Sequence, residues 1–192
     1  QKGIYVSSSN SGANLGRAPG SAVETSTADL VFVTDAFSAN GPLQFNTSGT
    51  LSITPRAGQS FGSTFDTANL TYSSDLSGLI IGHSANTSDI RVGSTTIIAG
   101  DVSLFGDDIE INSQLQATNA TLSLDSAGTV VDGTSGYVVA SKLALLDGAV
   151  TLDNPSNDVT TLAGSGLDSL LYTDSNALTV GSVNPDGVNA SG

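Results

Sequence analysis

Apolar residues recur along this chain as dyads two positions apart. Leu30 and Phe32, Leu43 and Phe45, Leu51 and Ile53, Ile90 and Val92 come first. Val102 and Leu104, Ile109 and Ile111, Leu122 and Leu124, Val150 and Leu152, Leu178 and Val180 follow. Period two places both members on one side of a strand, so each dyad predicts a short half-buried strand. From Val102 the strand starts run Ile109, Leu115, Leu122, Val130 and Val138, in steps of six to eight residues. Gly106-Asp107-Asp108, Asn112-Ser113, Asp125-Ser126-Ala127-Gly128, Asp132-Gly133 and Asp147-Gly148 fill the gaps, and such residues accept tight turns. A β-sandwich spaces its strands by ~8–12 residues, which is longer than these steps. Three steps make about 20 residues, within the range of solenoid repeats. The expected fold is all-β: a parallel β-helix with about three short strands per coil. At that period the chain makes about nine coils, a rod of roughly 40–45 Å at the ~4.8 Å strand spacing.

The pattern is most regular from Leu79 to Leu152. Residues 7–28 read as a loop or irregular coil, 54–68 as a second excursion and 153–169 as a third. The expected organisation is irregular coils and loops over 1–68 and a regular shaft over 69–192, as one continuous domain. A weak longer repeat sets Leu70-Thr71-Tyr72, leading to Leu79-Ile80-Ile81-Gly82, against Leu170-Leu171-Tyr172, leading to Leu178-Thr179-Val180-Gly181. Both ends read like the middle of a longer chain.

Composition narrows the class. Charged residues are 12% of the 192, about half the usual share, and Ser plus Thr fill roughly a quarter. Hydrophobic content of 38% is too high for a disordered linker, and the apolar residues are mostly Val, Ile and Leu, which fit a pleated surface. The net charge of −13 argues against nucleic acid and against anionic lipid as partners. The absence of Cys excludes a disulfide scaffold. No apolar run reaches the ~20 residues of a membrane span, and Gln1-Lys2-Gly3-Ile4-Tyr5 is not a signal peptide.

Three stretches carry a family resemblance: Thr121-Leu122-Ser123-Leu124-Asp125-Ser126-Ala127-Gly128-Thr129-Val130, Val150-Thr151-Leu152-Asp153-Asn154 with Asn157-Asp158-Val159, and Asp174-Ser175-Asn176-Ala177-Leu178-Thr179-Val180-Gly181. They resemble the shafts of filamentous-haemagglutinin-like adhesins, the large exoproteins of bacterial two-partner secretion. The resemblance covers about residues 69–192 well and 1–68 loosely. It implies a right-handed parallel β-helix, exported and displayed on the bacterial cell surface. Asn154-Pro155-Ser156-Asn157 and Asn184-Pro185-Asp186-Gly187 depart from the Asn-Pro-Asn-Gly motifs of that family's secretion domain, so the chain reads as shaft and not as export module.

Candidate chemistry is sparse. Asp101, Asp107, Asp108 and Glu110 lie close in sequence, and Asp107, Asp132 and Asp147 would offer oxygens to Ca²⁺ if they aligned in adjacent coils. The Ca²⁺ candidates are therefore Asp107, Asp108, Asp132 and Asp147, against the alternative of solvated turn carboxylates. The repeat glycines and Asp of calcium β-rolls are absent. A glycan-cleaving β-helix would need clustered carboxylates, for which Asp107, Asp108, Asp132 and Lys142 are the set, with Tyr137 the nearby aromatic. His83 lacks a nucleophile elbow and reads as a surface residue. Sequons stand at Asn46, Asn69, Asn86, Asn119 and Asn189. Phe32, Phe45, Phe105 and Tyr172 read as core layers, and Phe61 and Phe65 as exposed contacts.

The function expected from these features is structural, not enzymatic: a stiff extracellular spacer stacked against neighbouring repeats or identical subunits end to end. The alternatives are a β-helix that binds or cleaves glycans, with host or matrix glycans as partners, and a Ca²⁺-stabilised surface-layer module.

Overall fold

The computed structural model describes residues 4–7, 13–15, 23–24, 27, 29–39, 41–181, 183 and 188–190. Among the described residues there is no helix, and every strand pairing is parallel. The chain is a β-solenoid of about seven turns, each laying one strand on each of three faces.

On the first face Leu30–Val33, Thr50–Thr54, Gly78–Ile81 and Asp101–Gly106 stack in order. The second halves of three long strands follow, Gln114–Ser126, Tyr137–Leu146 and Asp158–Leu167, and Thr179–Val180 comes last. Register puts Leu30, Leu51, Leu79, Val102, Leu122, Leu143 and Leu162 in one inward column. Phe32, Ile53, Ile81, Leu104, Leu124 and Leu145 form a second. On the second face the column is Phe65, Ile90, Ile109, Val130, Val150 and Leu170. On the third, Leu43–Asn46 lies on Leu70–Tyr72, and Ile98, Ala117, Ala140 and Val159 align further along. The dyads form strands because their apolar pairs share one side, and parallel stacking repeats that side at every turn.

These columns join in one apolar cluster from Leu30 to Leu167, unbroken at the expected boundary near residue 68. Burying a Leu or Ile side chain stabilises by about 1.5–3 kcal/mol. A turn burying several of them offsets much of its own ordering entropy only when neighbours cover both ends.

The structure corrects several expectations. There are about seven turns and not nine, because the early turns are long: Leu51 to Leu79 spans 28 residues, whereas Leu143 to Leu162 spans 19. The excursion expected over 153–169 is largely the strand Asp158–Leu167. Residues 55–64 do leave the ladder, but Phe61 and Phe65 are buried, with ring centroids 5.0 Å apart. Phe105 alternates with the buried Val102 and Leu104 and so faces outward. Val180 lies 61% exposed, although it stacks on Leu162. The long repeat is not a structural one, since Leu70–Tyr72 lies on the third face and Ser169–Tyr172 on the second. Most of residues 7–28 lies outside the described residues, but Ala13–Leu15 and Val23–Glu24 pair as rungs.

Candidate functional site

A chain turning a corner of the solenoid leaves backbone N–H groups that the ladder does not meet, and such groups need acceptors. Carboxylates one turn earlier supply them. Asp29 Oδ1 accepts from the Thr50 N–H (2.8 Å), Asp35 Oδ1 from Arg56 (2.9 Å) and Asp101 Oδ1 from Thr121 (2.8 Å). Asp108 Oδ1 accepts from both the N–H and the hydroxyl of Thr129, each at 2.8 Å. Asp132 accepts from the Asp153 and Asn154 N–H groups, each at 3.1 Å. Charge-assisted bonds of this kind are stronger than neutral ones. The Arg56 guanidinium also bonds the Asp35 carboxylate side-on, through Nε at 2.7 Å, and holds its pKa below the ordinary range.

Two buried amides lock successive turns together. Asn157, fully buried, accepts from the Val138 N–H (2.8 Å) and donates to Asp132 Oδ2 (2.9 Å) and the Leu152 carbonyl (3.2 Å). Asn86 accepts from the Phe61 N–H (3.1 Å) and donates to the Ser88 and Phe105 carbonyls (2.9 and 2.8 Å). This sequon residue is therefore part of the interior, whereas Asn69 and Asn119 are exposed.

The expected acidic cluster is dispersed. Asp107 and Asp108 sit at the corner between the first and second faces, where Asp101–Gly106 hands over to Ile109–Ile111. Asp147 is at the same corner two turns on, with Ser126-Ala127-Gly128 occupying the corner between them. Asp132 ends the second-face strand Thr129–Asp132, and Lys142 begins the first-face part of Tyr137–Leu146. Neither the Ca²⁺ column of Asp107, Asp132 and Asp147 nor the acid set of Asp107, Asp108, Asp132 and Lys142 comes together, because the residues occupy different corners. Tyr137 opens the third-face strand, away from Asp107 and Asp108. Among the described residues no three His, Cys, Asp or Glu side chains meet in a way that would hold a metal ion. His83 has both ring nitrogens engaged by backbone. Nδ1 accepts from the Ala85 N–H at 3.1 Å, and Nε2 donates to the Arg56 carbonyl at 3.3 Å.

Three concavities run along the corners. The first, of about 100 Å³, lies between His83, Phe105, Asp125 and Asp147. Burial, then the nearby Asp147 charge, pushes the Asp125 pKa up. The second is a shallow depression over the capped turn of Asp132, Asp153 and Asn154. The third lies where the third face passes into the first, at a break in register between Ala117 and Thr121. Asn119 takes a positive φ of 54° there, a conformation that Asn adopts more readily than most residues. Sequence reading registered Asn119 only as a sequon; an Asn between two strand-forming runs was the sole signal of the bulge.

Comparison with protein-family models, with curated proteins and with solved structures returns no match for this chain.

Proposed function

We propose that this chain is a length of stiff shaft from an extracellular bacterial surface protein of the filamentous-haemagglutinin-like kind, serving as a spacer between a cell and whatever its parent protein grips. The observation that carries this reading is the continuity of the interior. Apolar columns run in register through every turn from Leu30 to Leu167, and the corner carboxylates cap the next turn's backbone. Such a body resists bending because each turn is held to its neighbours by a strand on every face, corner caps and shared core. The low content of positive charge and the surface of hydroxyls, amides and carboxylates suit a solvated rod.

Small-angle scattering and electron microscopy of the isolated chain test the mechanical part. The expected particle is a short rod of constant cross-section, with end-to-end assemblies at high concentration. Cleavage of any member of a polyuronide panel would replace this reading with the enzyme one. A fall in Tm on adding a chelator would replace it with the Ca²⁺-stabilised surface-layer reading.

A further inference from the structure

The corner between the third and first faces is built differently from turn to turn. Between the paired positions Ala117/Ala140 and Thr121/Lys142, one turn inserts Thr118-Asn119-Ala120 where the next has Ser141 alone. The turn after that crosses with Thr160 alone. Two extra residues therefore push Asn119 out of the ladder, and bulges of this kind re-aim side chains at functional positions. The result is a groove of about 190 Å³. Its floor is aliphatic, made by Ala117, Val139 and Ala140.

The rim is rich in uncommitted hydrogen-bonding groups. Asn119 and Thr160 are exposed, Ser141 is half-buried, and none of their side chains bonds to a described residue. Asp158 gives Oδ1 to Asn176 Nδ2 at 2.7 Å, which leaves Oδ2 facing the opening. A relay orients the remaining edge. Gln114 Nε2 donates to Gln116 Oε1 at 2.8 Å, and Gln116 Nε2 donates to Thr118 Oγ1 at 3.0 Å. The Thr118 oxygen is thereby fixed as an acceptor, and its hydroxyl hydrogen is free to donate outward.

We propose that this bulged groove binds a neutral pyranose unit of a glycan. A sugar ring presents hydroxyls, each both donor and acceptor, around an apolar C–H face. The groove offers mixed donors and acceptors around an aliphatic floor, in a space for one ring and not for a large ligand. An anionic sugar is disfavoured: Asp158 is the only charged group in the groove, and the chain as a whole carries −13. The site goes beyond the spacer reading, since a shaft needs no groove.

The test is an amide-resolved NMR titration of the whole chain with cellotetraose, mannotetraose and a galactotetraose, and with a tetragalacturonate as the anionic arm. At least one neutral probe should shift the Asn119, Ser141 and Thr160 amides with a Kd on the order of 1 mM, the range of a few hydrogen bonds to one ring. The galacturonate should not. Asn119→Gly suits the positive φ and so keeps the fold, yet it removes the amide; it and Ser141→Ala should each weaken binding by about fivefold. Silence from every probe at about 10 mM overturns the site. So does binding that survives in both variants, and a preference for the galacturonate overturns its neutral specificity. The rod shape is read separately by scattering, so failure here leaves the spacer proposal standing.

Discussion

Asn157→Ala is the substitution whose cost the structure defines most closely. The native amide is fully buried and makes three bonds, to Val138 N–H, Asp132 Oδ2 and the Leu152 carbonyl. The Leu152 carbonyl also accepts from the Thr173 N–H at 2.9 Å, and Asp132 keeps the N–H groups of Asp153 and Asn154. The group left unmet is therefore the Val138 N–H, on a residue with no exposure. One orphaned buried donor costs about 1–3 kcal/mol, and losing the bond to the Asp132 carboxylate adds roughly 1 kcal/mol, so the expected loss is about 2–4 kcal/mol. Asn157→Asp sharpens the test because it keeps the shape. At neutral pH it sets a buried carboxylate against Asp132, raising the pKa of the pair, so the ionised variant should be less stable than Asn157→Ala. As pH falls and one proton is taken up, the new carboxyl can donate to Asp132, and the deficit relative to the native chain should shrink. Urea unfolding followed by circular dichroism gives the stability. Hydrogen exchange at the Val138 amide gives the local opening, which matters in a repeat protein that need not unfold in one step. A loss below about 0.5 kcal/mol with Val138 protection unchanged would refute the bridging role assigned to Asn157.

The remaining predictions concern the core, the close approaches and the acid response. Leu104→Ala, at a fully buried column position, should cost about 2–5 kcal/mol in urea unfolding, while Leu171→Ala, 53% exposed, should stay within about 0.5 kcal/mol. A Cβ at Gly100 would stand 1.7 Å from the Ser77 carbonyl oxygen, so Gly100→Ala should destabilise by roughly 2 kcal/mol or more; Gly58→Ala, with open space around it, should cost less despite its φ of 73°. Asp125, with its pKa raised by burial and by Asp147, opposes folding while ionised, and that penalty disappears as pH falls below its unfolded pKa. Asp125→Asn should therefore raise Tm at pH 7 and lose that advantage in acid. Asp35, with its pKa lowered by Arg56, behaves oppositely: it stabilises above its unfolded pKa and loses this as pH falls through the folded one. Arg56→Met should move the acid-unfolding midpoint to higher pH in a circular dichroism titration.

The sequence alone determined the strand positions and their inward sides. Leu122 and Leu124, or Ile109 and Ile111, are two apart in any β-structure, and the short steps between dyads left little room for anything but a coil. It could not determine which corner a turn residue occupies. That depends on the accumulated length of every preceding turn, and turns here vary from 28 residues to 19. Asp107, Asp132 and Asp147 looked alignable only because one period was assumed. The capping role of the aspartates was hidden for another reason: their partners are backbone N–H groups, which every residue but proline offers, so no partner residue type marks the pair. Phe61 and Phe65 were legible as aromatic but not as buried, since a loop's burial depends on the turn that passes beneath it. The period-two pattern comes from local geometry and belongs to the sequence. Register, corner and groove come from stacking one turn on another, and only the tertiary structure decides them.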